Sequence, residues 1–373
     1  MENTTAQPLT TSTSVPLWQP PGAVAGRQES PRILLIRPRK IGDVVLCTPL
    51  FQALRDAYPT AYLAFLTQHS CAQLLATNPH LDRVFVYPSK DGGPGYLGSA
   101  LELRRARFDV VIDLFSSPAT ARAAWLSGAK KRIGYRMRGR TLFYTDPVVS
   151  EERPQYIVWS LADLLKPIGV PVKHLDPILP IAPEWKDWGR ALLTRLGVQP
   201  GELVVGLVPG AHEPPKLWQP ERYAAVADWL IDAFGAKILL IHGPGEEPIT
   251  AAVRQAMSRP ALPAIPPVEN LGHLAGLYSH LSLYLGSDVG TRHIAIAAGV
   301  PSVGLFGRGF PESWTPPNRL QHQALAFDPG CKRACTYPAC THLSCIRTIA
   351  TSWVQDAIKG LLPAMQERAN AAR

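Results

Sequence analysis

Leu281-Ser-Leu-Tyr-Leu-Gly-Ser-Asp-Val-Gly-Thr-Arg-His-Ile-Ala-Ile-Ala-Ala-Gly-Val-Pro-Ser-Val-Gly-Leu-Phe-Gly307 is the stretch whose reading decides the fold. A short apolar run comes first, a turn carrying Asp288 and Gly290 follows, and Thr291 opens a small-residue segment closed by Gly299 and Pro301. This pattern predicts strand, loop, short helix and strand, with Thr291 as the N-cap and Gly299 as the stop. In such a βαβ unit the end of the first strand and the helix N-terminus face one crevice. Unpaired backbone N–H groups and the helix dipole favour an anion there, so the unit suits a phosphorylated ligand. On these residues alone, Asp288 reads equally as a turn former and His293 as a half-buried helix residue.

Outward from this unit the same alternation recurs. Residues 33–36 read as a buried strand, residues 44–57 as a helix stopped by Tyr58 and Pro59, and residues 61–66, 83–87 and 108–115 as strands. Helices are expected near 71–76 and over 118–126. Prolines at 167, 171, 177, 180, 183 and 200 then mark a change of composition, with a helix over about 185–196 inside it. Strands at 203–208 and 237–241 and helices at 220–234, 247–257 and 271–280 lead back to the opening unit. Strands alternating with helices imply parallel sheets covered on both faces. The expected organisation is a disordered tail over 1–30, one Rossmann-like domain over 31–175, a second over 176–350, and a C-terminal helix over 351–373.

The chain has 373 residues, which suits two domains. Its 38 Lys and Arg against 29 Asp and Glu give a net charge of +9, suited to a phosphate ligand, an acidic glycan or an anionic lipid surface. No apolar run approaches the ~18 residues of a membrane span. Residues 1–30 have neither the basic start nor the apolar core of a signal peptide, so a cytoplasmic location is expected. Six cysteines are too few for a disulfide scaffold. There is no G-x-x-x-x-G-K-[ST] loop, no G-x-G-x-x-G after the first strand, and no Asp-x-Asp pair to hold a metal on a diphosphate.

Four blocks, in order, resemble glycosyltransferase family 9, the lipopolysaccharide heptosyltransferases. They are Ile33-Leu-Leu-Ile-Arg-Pro-Arg-Lys-Ile-Gly-Asp-Val-Val-Leu-Cys-Thr-Pro49, Val208-Pro-Gly-Ala-His-Glu-Pro-Pro-Lys-Leu-Trp-Gln-Pro220, Ile241-His-Gly-Pro-Gly-Glu246, and Ser287-Asp-Val-Gly-Thr-Arg-His293 with its continuation to Gly307. The resemblance implies the GT-B arrangement, in which two Rossmann-like domains face each other across a cleft. It also implies an inverting, metal-independent transfer of a heptose or similar sugar from an ADP-linked donor to a lipopolysaccharide-type acceptor. The nucleotide sugar is then a substrate, and no resident cofactor is expected. The expected partners are that donor and an anionic glycan or glycolipid, with peripheral contact at the inner face of the cytoplasmic membrane and no nucleic acid. A GT-B enzyme with another donor, or a non-catalytic GT-B binding protein, are the other readings.

The resemblance also implies roles for single residues. Asp43 becomes the general base that takes the acceptor's hydroxyl proton; on its own it reads as a helix N-cap. Lys216 is expected on the donor phosphates, with backbone N–H groups of Gly210 and Ala211 beside it. Glu246, after Gly243 and Gly245, is expected at the ribose, with Glu247 one register away; either also reads as an ordinary first-turn glutamate. Asp288, Gly290, Thr291 and His293 complete the donor side, and Val289 stands where the family commonly carries Thr or Ser. Lys40, Arg132, Tyr135 and Arg136 are the acceptor-side candidates, the last three inside the basic run 130–140, which also reads as a solvated loop or a nucleic-acid patch. Cys331, Cys335, Cys340 and Cys345 are spaced unlike a paired C-x2-C zinc site, and buried thiols or a local crosslink are the expectation over metal.

Overall fold

A computed structural model describes residues 18–19, 30–87, 94–150, 155–317, 320–331 and 335–371. Among them are eleven strands in two sheets: β1 Arg32–Ile36, β2 Tyr62–Thr67, β3 Arg83–Val86, β4 Val110–Asp113, β5 Lys131–Tyr135, β6 Asp146–Val148, β7 Val204–Val208, β8 Lys237–Leu240, β9 Leu283–Ser287, β10 Ser302–Phe306 and β11 His322–Ala326. The first sheet has the order β3-β2-β1-β4-β5-β6 and the second β11-β10-β9-β7-β8, with every pairing parallel. Central strands such as β1 and β7 are buried nearly throughout, which is why they read as unbroken apolar runs.

Both sheets reverse their winding at one place, between β1 and β4 in the first and between β7 and β9 in the second. In open α/β sheets ligands bind beyond the carboxyl ends of the strands at such points. The segments that follow β1, β7 and β9 carry Asp43 in the first turn of helix Ile41–Val45, Gly210 with Ala211, and Asp288. Topology therefore delivers three separate sequence blocks to two crevices.

The halves touch through an apolar seam. Val45 and Leu74 from the first half share a buried cluster with Leu271, Leu274 and Ile294 of the second. At its edge the backbone of Gly42 approaches the helix Gly290–Ala297 so closely that a Cβ on Gly42 would lie 2.5 Å from His293 Cδ2 and 3.1 Å from Gly290 Cα. Gly42→Ala should therefore lower unfolding stability by about 1–3 kcal/mol through overpacking. Gly98→Ala, where a Cβ meets nothing within 4 Å, should leave it unchanged or slightly raised; urea unfolding midpoints compare the two.

Several expectations need correction. The helix expected over 44–57 is two helices, Ile41–Val45 and Thr48–Ala57, with the N-cap of the second at Cys47 and Pro49 in its first turn. Thr291 is not the N-cap of its helix; Val289 holds that place in extended conformation, and Thr291 is the second helical residue. The stop is as expected, with Gly299 at φ +72°. Part of the basic run is strand β5, where Lys131 is satisfied by Asp146 at 2.6 Å. Within the stretch read as a tail, the Trp18 backbone pairs with Ile168 and its ring packs on the first core, because indole burial is strongly favourable. The tail's remaining residues, apart from Gln19 and Ser30, lie outside those described. Helix Thr351–Ala371 packs on the second sheet through Val354, Ile358, Leu361 and Met365.

Candidate active site

Asp43 is the third residue of helix Ile41–Val45, so it is not the N-cap. Its Oδ2 accepts from the N–H of Lys40, the N-cap residue, at 3.0 Å, and lies 3.1 Å from a guanidinium nitrogen of Arg37. No hydrogen bond from the described residues reaches Oδ1. Arg37 is itself held by the carbonyl of Leu114 and stacks 5.1 Å from the ring centroid of Phe115, so the loop after β4 fixes the cation that steers the carboxylate. Arg37 is the residue sequence reasoning passed over. A cation six positions before an acid carries no helical spacing, and the contact depends on the bend between β1 and the helix.

On the other side of the seam, the turn Pro214–Lys216 presents Lys216 to the end of β9. Its ammonium donates to the Asp288 carbonyl at 2.9 Å and pairs with Asp288 Oδ2 at 3.1 Å. The turn is seated from below, where Gly307 lies against the Pro215 carbonyl too closely for any side chain. Trp218, two residues on, is core; its indole N–H donates to the Ile349 carbonyl at 2.9 Å.

Gly210 and Glu246 need each other. The Glu246 carboxylate accepts from the Gly243 N–H at 2.8 Å and occupies the space a Cβ on Gly210 would fill. Glu246 is thus turned inward, while Glu247 is exposed and lies 3.9 Å from His242. Gly245 has φ +81°, a conformation that favours glycine and brings the chain round to Glu246. Ala211 is buried beside Gly210. Val289 packs its side chain on the apolar cluster of the seam, so an apolar residue suits this place.

His293 is 4% exposed, and its Nδ1 is buried with no hydrogen-bond partner. Burial, with the neighbouring charges of Arg292 and Lys216, lowers its pKa from 6.5 to about 3. A neutral ring wedged against Gly42 supports the seam and supplies no charge to a phosphate. The linkage is explicit: below pH 6.5 the unfolded chain takes up this proton while the folded one does not until about pH 3. The stability His293 contributes is therefore complete above pH 6.5 and is lost on acidification, by at most about 1.4 kcal/mol per pH unit. Urea unfolding at pH 7, 6 and 5 should show a shallower decline for His293→Gln than for the parent chain.

Of the acceptor-side candidates, Lys40 and Arg136 are exposed. Arg132 donates to the carbonyls of Phe143 at 2.9 Å and Ala129 at 2.6 Å, and so holds its own loop. The Tyr135 hydroxyl donates to the Ser160 carbonyl at 2.8 Å, and burial pushes its pKa up. The cysteine cluster lies behind the Lys216 turn, where all four thiols line a cavity of about 20 Å³ with Pro215 and Arg308. All six cysteines are free thiols, and among the described residues no three of His, Cys, Asp and Glu form a metal cage.

Residues 99–340 match the model of glycosyltransferase family 9 (heptosyltransferase). The chain is 26% identical over 299 residues to lipopolysaccharide heptosyltransferase 3 of Escherichia coli, covering 77% of this chain and 86% of that protein. It is 26% identical over 303 residues to lipooligosaccharide heptosyltransferase 2 of Haemophilus influenzae, covering 76% and 85%. Its fold is similar to that of a family 9 glycosyltransferase from Veillonella parvula, with a TM-score of 0.78, 24% identity and coverage of 89% and 97%. It is also similar to Escherichia coli ADP-heptose lipopolysaccharide heptosyltransferase II, with a TM-score of 0.70, 20% identity and coverage of 89% and 98%. With both switch points loaded and the family matched over most of its length, the chain is a GT-B glycosyltransferase and belongs to glycosyltransferase family 9.

Proposed function

We propose that this enzyme moves a heptose, or a closely similar sugar, from an ADP-linked donor to a lipopolysaccharide-type acceptor, with inversion and without a metal. The observation that carries the reading is the approach of Gly42, the residue before Asp43, to Gly290 and His293, which follow Asp288, the partner of Lys216, across the seam. Asp43 offers Oδ1 to the acceptor hydroxyl while Lys40 N–H and Arg37 hold Oδ2. The acceptor oxygen bonds to the anomeric carbon, its proton passes to Asp43, and the electron pair of the breaking C–O bond leaves on the nucleoside diphosphate. Lys216 lies where that charge collects. Gly210, Ala211 and the N-terminus of helix Gly290–Ala297 supply backbone N–H groups to the phosphates, and Glu246 accepts from the ribose hydroxyls.

The relatives named above are lipopolysaccharide and lipooligosaccharide heptosyltransferases, and one structural neighbour is an ADP-heptose lipopolysaccharide heptosyltransferase. These names support the donor and acceptor class. Calorimetric titration with ADP, UDP, GDP and CDP, with and without magnesium, tests it. Selective ADP binding that ignores magnesium is the expected result. Tighter binding of another nucleotide redirects the donor, and no binding at all overturns the reading.

A further inference from the structure

Residues 114–145 carry seven of the chain's 38 Lys and Arg and none of its 29 Asp and Glu. They run from the end of β4 through helix Pro118–Leu126 and β5 to the short turn Thr141–Phe143 that precedes β6. Three of the seven cations are used internally, Lys131 on Asp146, Arg132 on two carbonyls, and Arg140 on the Ser116 carbonyl and the Met137 sulfur. The other four, Arg122, Lys130, Arg136 and Arg138, are exposed, and among the described residues none pairs with a carboxylate.

Large apolar side chains stand among these cations without cover. Leu142 is 90% exposed, Trp125 54% and Met137 42%. They form one surface. Trp125 meets Phe143 edge to face at 6.4 Å, Thr141 closes back on the Met137 carbonyl through its N–H and hydroxyl, and Arg122 lies one helical turn from Trp125 on the same face. The turn is held by Arg132 on the Phe143 carbonyl and by the Arg140–Met137 contacts, which leave Leu142 outward.

We infer that this surface docks the enzyme on an anionic lipid bilayer, with Leu142, Trp125 and Met137 entering the headgroup region and Arg122, Lys130, Arg136 and Arg138 facing lipid phosphates. An aromatic ring and a bare leucine ringed by unpaired cations match an interface that is apolar below and negative above. A nucleic-acid partner fits less well, because a leucine 90% exposed has no base edge or phosphate to meet. Position agrees. The loop leaves β5 at its carboxyl end, and Tyr135, its last strand residue, donates its N–H to Ser116 Oγ, next to Phe115, whose ring lies 5.1 Å from the Arg37 guanidinium beside Asp43. Docking here would bring the Asp43 side of the cleft to the membrane surface, where a glycolipid presents its sugar. The purpose of the surface rests on the proposed acceptor class, but its test does not.

Flotation of the purified full-length chain with vesicles of phosphatidylcholine containing 30% phosphatidylglycerol, against pure phosphatidylcholine, reads the surface directly. Retention on the anionic vesicles alone, falling steeply with added salt, is expected. Lys130→Ser with Arg138→Ser should lower the partition coefficient about twenty-five-fold, since each cation near such a surface contributes a factor of about five. Leu142→Ser should lower it severalfold at every salt concentration, and it should leave ADP affinity unchanged. No retention of the parent chain, equal retention of the variants, or binding of a single-stranded RNA by the parent with no vesicle retention would overturn the inference. Retention with the expected losses, in an enzyme that fails to bind ADP, would leave the surface standing and remove the donor assignment instead.

Discussion

Asp43→Asn should lower kcat by about 10²- to 10⁴-fold, the range that a positioned general base contributes, with ADP affinity held within about twofold. The substitution separates the two roles this carboxylate has. As a partner for the helix N-terminus, asparagine is nearly as good: its amide oxygen still accepts from the Lys40 N–H, now 3.0 Å from Oδ2. As a base it is useless, because an amide does not take the acceptor's proton. The exchange also leaves Arg37 without its anion at 12% exposure, so some stability should go with the activity. Initial rates at saturating donor, set beside thermal unfolding, distinguish the cases. A variant that keeps full kcat while losing a few degrees of melting temperature would make Asp43 a helix-end residue and sink the mechanism.

That ambiguity at Asp43 shows where the sequence was legible and where it stopped. The strands of both sheets stood out where they are buried on both faces, as in residues 33–36 and 283–287, because parallel central strands must be apolar throughout. The last two strands of the first sheet, β5 and the edge strand β6, did not. β5 reads Lys131-Arg-Ile-Gly-Tyr135, and only the middle of it is buried, so its charges looked like a loop. β6 is three residues of intermediate exposure with no pattern to find. The site was legible as blocks and not as contacts. Asp43, Lys216, Glu246 and Asp288 came from resemblance to a family, and the structure brings Lys216 onto Asp288 and Glu246 under Gly210. Arg37 reaches Asp43 through the bend between β1 and the helix, and the wedging of His293 against Gly42 joins two helix starts about 250 positions apart; no local pattern encodes either contact. Arg132 shows the opposite case: a basic residue in a basic run suggests a ligand, yet its guanidinium also holds two carbonyls of its own loop, a use the run does not signal.

Lys216→Ala is the second large effect, and it should lower kcat by about 10²- to 10³-fold, as the loss of one preorganised donor at a developing charge does. With no donor bound, the ammonium rests on Asp288, 2.9 Å from the carbonyl and 3.1 Å from Oδ2. A diphosphate entering between β7 and β9 competes for it, and the gain is greatest when the C–O bond breaks and a further negative charge collects on the leaving group. The loss should therefore fall on kcat more than on donor KM, the mark of an interaction made chiefly in the transition state. Lys216→Arg should recover part of the rate, since the charge is restored in a different shape. Magnesium should recover none if the enzyme works without a metal. Stability gives the contrary reading its chance: the pair is partly buried, with side-chain exposures of 27% and 12%, so its removal should cost about 1 kcal/mol or somewhat more. If Lys216→Ala melts early yet turns over within threefold of the parent, the lysine is a clasp between the Pro214–Lys216 turn and β9, and leaving-group charge must be met by the backbone N–H groups after Val289 and Pro209.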